Sequence, residues 1–319
     1  MLTNYQQTEM KSLIKIMPLW MFNFLKKIKH RLYLHIGKRH PRKLLEILYR
    51  AHYGRNINLE NPKDIDEKVN YMKLYADTTL WSRCADKWLV REYVRERGLG
   101  HTLNEVYGVF DRAEDIDFDT LPNSFVIKTT NGGGGNSVLV VKDKQELNRA
   151  EVVKTLNEWL KIPMGDIYAE RHYSEIVPRL MVEKYLEDQG DSVSLLDYKF
   201  NCFDGNAYSI FFCSDREFGK YVCYSVYDLD WTLYPEKMHP KYRTDKTFPR
   251  PCSLDKMIEY SQRLSLGIPY VRVDWYEIDG EPIFGEMTFT PAGGFQSFYS
   301  EEYRMELGQQ IDLSKVELR

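Results

Sequence analysis

The stretch VIKTTNGGGGNSVLVV, residues 126–141, sets four glycines between two β-branched runs, with Lys128 ahead of them. A glycine inside a regular element costs roughly 0.5–1 kcal/mol relative to alanine. The run therefore reads as a loop between strands at 124–130 and 136–143. Without Cβ atoms the backbone can approach an anion and aim successive N–H groups at its oxygens. Three known phosphate loops do not match. The P-loop needs Gly–Lys and a following helix, but Asn136–Ser137 and a strand stand here. The dinucleotide fingerprint also opens a helix, and the kinase loop precedes its lysine. What remains is a hairpin flap whose incoming strand carries the lysine; a glycine-rich turn with only a structural role is the competing reading.

A second stretch, RVDWYEIDGEPIFGEMT (272–288), reads as a hairpin around Asp279–Gly280. Side chains alternate along a strand. Arg272 and Asp274 thus share one face of the incoming strand, and Glu286 and Thr288 one face of the outgoing strand. An odd-length turn centred on Gly280 would set Asp274 opposite Glu286. Two carboxylates at cross-strand distance repel. A divalent cation removes that repulsion, and Mg²⁺ is commonly held by one or two carboxylates together with nucleotide phosphates. A solvated hairpin face with ordinary surface charges is the alternative.

Around these hairpins the chain alternates its period. Residues 11–50 read as helical up to a break at Pro41, with Leu13, Ile14, Met17, Met21, Phe22 and Leu25 on one face and Lys26, Lys27, Lys29 and Arg31 following. This basic amphipathic segment either packs on the protein or, over residues 11–43, makes peripheral contact with an anionic membrane. A helix is expected from Asp86 to Arg97, closed by Gly98, and another over 144–160. Strands are expected at 106–110 and 181–186, and DYKFNCF and NAYSIFFC form a hairpin about Asp204–Gly205. Residues 214–252 read as a polar, aromatic excursion with little repetitive structure. Ser253 stands as the N-cap of a helix running to about Leu266. Strands do not alternate regularly with helices, which argues for α+β subdomains over one doubly wound sheet.

The whole chain of 319 residues carries −3, unevenly spread. Residues 1–50 hold eleven Lys/Arg against two Glu, a net of +9, so the other 269 residues carry −12. An acidic body disfavours a nucleic-acid partner. No run approaches the roughly 18–20 apolar residues of a membrane span, and the polar start is not a secretory signal. Five cysteines without a CxxC pair suit reduced thiols in a cytoplasmic protein.

In chain order, DKWLVREYV, VIKTTNGGGG, MVEKYLE, DYKFNCFDG, VRVDW and GEMTFTPAGG resemble the ATP-grasp superfamily over about residues 84–295. More narrowly they resemble the TupA-like (teichuronopeptide-biosynthesis) ATP-grasp proteins of bacterial surface-polysaccharide loci. The resemblance implies two α+β subdomains clamping ATP with Mg²⁺. The division it suggests is a basic helical extension (1–80), a small α/β part (81–125), a subdomain with the glycine flap (126–186) and one with the acidic hairpin (187–319). Lys128 resembles the strand lysine on the α- and β-phosphates. Gly132, Gly133, Gly134, Gly135, Asn136 and Ser137 resemble the flap. Glu183, Lys184, Tyr185 and Leu186 match the hinge strand at the adenine. Glu187, Asp188 and Asp191 all qualify for the ribose. Lys199 resembles the lysine near the γ-phosphate, Lys87 a more variable phosphate lysine, and Arg272 the arginine that steadies the reacting oxygens. Asp274 and Glu286 match the Mg²⁺ carboxylates. Thr288 stands where the family has asparagine, a weaker oxygen ligand in place of an amide.

The activity so implied is ADP-forming carboxylate–amine ligation through an acylphosphate, in capsule or cell-surface polysaccharide synthesis. The carboxylate would be a uronic acid or amino acid, the amine an amino acid or amino sugar. A sugar kinase, or a glycosyltransferase or nucleotide-binding assembly protein of the same pathway, is the alternative. Within 214–252, Tyr224, Trp231 and Arg243 are the foremost candidates to contact substrate, with Arg216, Lys220, His239, Lys241, Tyr242 and Arg250 nearby: aromatic faces stack on sugars and arginine grips carboxylates. No Ser–His–Asp or Cys–His arrangement is evident, and ligation of this kind needs no side-chain nucleophile.

Overall fold

A computed structural model describes residues 19–133, 135, 137–187, 195–217 and 221–319. Gly134, Asn136, Asp188, Asp191, Lys220 and the helix expected before residue 19 lie outside these residues, as does the side chain of Arg216.

Helix α1 (Leu19–Arg39) ends two residues before Pro41, which opens α2 (Pro41–Tyr53) at the position where a missing N–H leaves nothing unpaired. Helix α3 (Ile65–Tyr75) starts at Asp64, whose carboxylate accepts the Glu67 N–H at 2.8 Å. The same carboxylate accepts from Tyr49 at 3.0 Å and from Arg55 at 2.7 Å, tying α2 to α3. Leu44, Leu45, Leu48 and Tyr49 bury against Leu59, Leu74 and Phe295.

Helices α4 (Thr79–Ala85) and α5 (Val90–Glu96) follow. The helix expected from Asp86 begins only at Val90. The Asp86 carboxylate accepts the Trp88 and Leu89 N–H groups at 2.7 and 3.0 Å, which winds residues 86–89 into a turn instead.

Two antiparallel sheets follow. The first has the order β1-β4-β2-β3, from β1 (Val106–Phe110), β2 (Phe125–Thr129), β3 (Val138–Val141) and β4 (Leu180–Lys184). Helix α6 (Arg149–Trp159) packs on it, its N-cap Asn148 accepting the Glu151 N–H. Phe125, Ile127, Leu156, Leu180 and Val182 form this core. Strand β1 is thus an edge of the sheet that carries the glycine loop, although the sequence suggested a division at 125.

The second sheet has the order β7-β6-β5-β8-β9. It comprises β5 (Asp197–Phe203), β6 (Asn206–Glu217), β7 (Tyr221–Tyr227), β8 (Val271–Ile278) and β9 (Glu281–Thr288). Helix α8 (Leu254–Ser265) covers one face, and α9 (Glu301–Gln309) packs on α3. The expected excursion from residue 214 is corrected here. β6 continues to Glu217 and pairs with β7, so the irregular stretch starts only after Tyr227. Ser253 stands at the N-cap of α8 as expected, but its hydroxyl makes no capping bond and donates to Glu277 at 2.6 Å instead. Together the segregated helices and antiparallel sheets make an α+β protein.

The short helix α7 (Arg171–Ser174) buries His172 completely, between Trp81 at 5.5 Å and Tyr173 at 4.4 Å between ring centres. Neither ring nitrogen has a hydrogen-bond partner among the described residues. Burial, helped by the charge of Lys73, pushes the imidazole pKa from 6.5 down to about 3. The folded chain keeps this ring neutral, while the unfolded chain takes up a proton near pH 6.5. The contribution is therefore complete above that value and drains away as the pH falls toward 3. His172→Phe, which keeps the aromatic packing, should lose on the order of 2 kcal/mol less stability than the wild type between pH 7 and pH 5. Urea unfolding at the two pH values checks this.

Candidate active site

The acidic hairpin turns through Asp279 and Gly280, both left-handed, with Ile278 paired to Glu281. This is a two-residue turn, not the odd-length one expected. Continued regularly, it would place Gly285 opposite Asp274. A bulge between Asp274 and Trp275 adds one residue on β9, and Asp274 pairs with Glu286 after all. At the bulge a Cβ on Gly285 would sit 2.9 Å from the Asp274 carbonyl oxygen.

The ladder extends this pairing across the sheet. Lys199 lies opposite Asp274, and Arg272 opposite Thr288. Arg272 donates to both oxygens of Asp274, at 2.7 Å each, and to Thr288 Oγ1 at 3.2 Å. Lys199 Nζ is 2.5 Å from Asp274 and 3.3 Å from Asp197. The Thr288 hydroxyl donates to Glu286 Oε1 at 3.2 Å. Burial opposes the charge of Glu286, yet Lys87, Lys199 and Arg272 together hold its carboxyl well below the usual carboxylate range. Burial likewise opposes the charges of Lys199 and Arg272, and their acidic neighbours overcome it and raise both.

Lys87 connects this cluster to the glycine loop. Its ammonium donates to the Gly132 carbonyl at 2.7 Å and to Glu286 Oε2 at 3.0 Å. The backbone of the same residue donates to Thr130 at 2.9 Å, so the turn that carries it is fastened to the end of β2. In the loop, Gly133 faces open space and Gly135 is left-handed, while Ser137 is buried and its carbonyl accepts the Thr129 N–H. Asn131 Oδ1 is buried without a partner among the described residues, an acceptor with capacity to spare beside the loop.

Lys128 points from β2 to Glu183 on β4, 2.5 Å away. At the hinge, the Lys184 N–H and carbonyl are engaged by Glu105 and Asn104 beside β1, while its side chain is exposed. Tyr185, Leu186 and Glu187 continue as coil.

The proposed substrate residues separate. Tyr224 shares the face of Lys199 through the row Asp197–Cys213–Tyr224, and it stacks on Phe211, the ladder neighbour of Lys199. Trp231 does not. It stacks on Tyr227 at 4.1 Å and packs against Tyr198 and Phe212, which alternate onto the opposite face, and its indole N–H donates to the Phe248 carbonyl. The Arg243 guanidinium donates to the Met238 carbonyl at 3.0 Å, bracing the excursion. Two participants escaped the sequence reading. Asp197 beside Lys199 could have been found by alternation from residue 199. Tyr173 could not. Burial, then the negative charges of Glu170 and Glu286, pushes its hydroxyl well up. It arrives from a four-residue helix with no signal of its own.

Among the described residues no group of three or more His, Cys, Asp or Glu is arranged to hold a metal ion. The donor set present is two carboxylates and a hydroxyl, all oxygen. That chemistry fits a hard cation that completes its shell with phosphate oxygens, and does not fit zinc or another soft metal.

A family model described as TupA-like ATPgrasp matches residues 67–312. Among solved structures, the chain is similar to a D-alanine–D-alanine ligase from Bacillus anthracis, at 18% identity over 75% of this chain and 71% of that one, with a TM-score of 0.48. It is similar to the D-alanine–D-alanine ligase of Helicobacter pylori at 15% identity, 78% and 67% coverage and a TM-score of 0.44. For N5-carboxyaminoimidazole synthetase from Staphylococcus aureus complexed with ADP the values are 13% identity, 77% and 50% coverage and 0.39. No curated protein matches the chain.

The bulge yields a paired test. Gly285→Ala forces its new methyl against the Asp274 backbone, whereas Gly133→Ala meets nothing within 4 Å. The first should lower stability to urea by about 1–3 kcal/mol, and the second should stay within about 0.5 kcal/mol of wild type.

Proposed function

The chain belongs to the TupA-like ATP-grasp family, and from that premise we propose that it is an ATP-dependent, ADP-forming carboxylate–amine ligase. The observation that carries the reading is Lys87, whose one ammonium group touches both the glycine loop and Glu286 of the hairpin. A triphosphate held between loop and hairpin would lie among Lys87, Lys128, Lys199 and Arg272.

In the first step a substrate carboxylate oxygen bonds to the γ-phosphorus while the bond from that phosphorus to the β–γ bridging oxygen breaks. ADP departs with the electron pair and an acylphosphate remains. An amine nitrogen then bonds to the acyl carbon, the carbon–oxygen bond to phosphate breaks, and the nitrogen gives a proton to solvent. The protein's work is positioning and charge neutralisation. Lys128 and Lys199 exchange Glu183 and Asp274 for phosphate oxygens. The flap around Gly132–Ser137 shields the site from water. Arg272 steadies the oxygen that becomes anionic during amine attack. Asp274, Glu286 and Thr288 would hold Mg²⁺, which when bound supplies further neutralisation of the phosphate charge. The hinge from Glu183 to Leu186 takes the adenine, with Glu187, Asp188 or Asp191 at the ribose.

The substrates we propose are a uronic acid or amino acid as carboxylate and an amino acid or amino sugar as amine, in bacterial surface-polysaccharide synthesis. Tyr224 supports this as an aromatic side chain on the same sheet face as Lys199. ADP and free phosphate should appear only when both a carboxylate and an amine are supplied. Lys128→Ala and Glu286→Ala should each lower ADP formation by about 10²–10³-fold with circular dichroism unchanged. Full turnover by either variant, or phosphate retained on the product, would overturn the assignment.

A further inference from the structure

Among the described side chains of helix α1, those seated on the body lie toward its C-terminal end. Gly37 is buried there, where a Cβ would collide with the Asp166 carbonyl oxygen and meet the Leu44 side chain at 2.9 Å. Tyr33 and Ile36 pack onto the core between α2 and α3. Residues 28–32 are different. All five are exposed, and five consecutive residues cover more than one full helical turn. No side of this part of the helix is buried. Two of its five side chains are large and apolar, Ile28 at 47% and Leu32 at 53% exposure, one turn apart on one face. In the sequence Met21, Leu25, Ile28 and Leu32 recur at intervals of four and three. Lys29, His30 and Arg31 stand between the two described apolar residues, and Lys38 and Arg39 are exposed near the helix end.

Charge selects the partner. No Asp or Glu occurs between Glu9 and Glu46, an interval that holds ten Lys/Arg. A second copy meeting this face symmetrically would set cations against cations. No helix among the described residues is long and apolar enough to cross a membrane. We infer that α1 lies in the surface of an anionic lipid bilayer, with Ile28 and Leu32 entering the acyl boundary and Lys29, Arg31, Lys38 and Arg39 on the phosphate groups. Apolar area and cationic charge act together in such binding, and neither alone suffices for stable anchoring.

The experiment is co-sedimentation of the full chain with phosphatidylcholine vesicles, with and without phosphatidylglycerol. The protein should pellet with the anionic vesicles and be released by high salt, since screening shortens the reach of surface charge. Ile28→Ser with Leu32→Ser should lower partitioning about tenfold, and Lys29→Glu with Arg31→Glu at least as much. The urea midpoint should not change for either double variant, because these side chains are exposed. Equal partitioning to neutral and anionic vesicles, no pelleting with either, or full binding by the Ser variant would overturn the inference. So would a dimer in sedimentation velocity that the Ser variant dissolves, which assigns this face to a second copy.

Discussion

A single ammonium group joins the two halves of this molecule at the site. Lys87 donates to a backbone carbonyl in the glycine loop of one sheet and to a carboxylate in the hairpin of the other. Its backbone is fixed first. Asp86 winds the turn, and the Lys87 N–H bonds to Thr130 at the end of β2. The side chain then crosses to Glu286 from a rigid origin. A charge-assisted bond of this kind is about twice as strong as a neutral one. It also leaves the loop dependent on a charge that a phosphate could take over.

The charges on the hairpin sheet are closely balanced. Asp274 is buried and would be costly alone. Arg272 grips it through two parallel bonds, and Lys199 adds a third. The geometry comes from register: rows of paired residues put Lys199, Asp274 and Glu286 side by side on one sheet face. A slip of one residue would turn every one of them to the opposite face. The bulge at Gly285 is therefore part of the site although it has no functional side chain.

Much of this was legible because strands advertise themselves by alternation. The glycine loop, both hairpins and the opposition of Asp274 to Glu286 follow from period two and turn chemistry. The opposition was reached by an inexact route, through an odd-length turn, where the chain uses a two-residue turn and a bulge. Sequence spacing counts residues and cannot see which one bulges out. Trp231 was misplaced for a related reason. Inside an irregular segment no alternation states which face of the sheet a side chain reaches, and here it reached the far one. Tyr173 shows a third limit, since a four-residue helix is too short to carry a period.

Thr288 marks the point where this chain departs most from the pattern that its family resemblance implied. A hydroxyl accepts and donates at once. Here it accepts from Arg272 and donates to Glu286, so a neutral group links a guanidinium to a carboxylate that stand 3.5 Å apart themselves. An asparagine could accept from the arginine through its amide oxygen, but it would have to turn its amino group to reach the glutamate. Threonine gives up the stronger oxygen ligand and holds the carboxylate in one orientation. With the bulge fixing which residue faces Asp274, and the hydroxyl fixing how Glu286 is turned, the acidic pair is positioned by its own strands, before any ligand arrives.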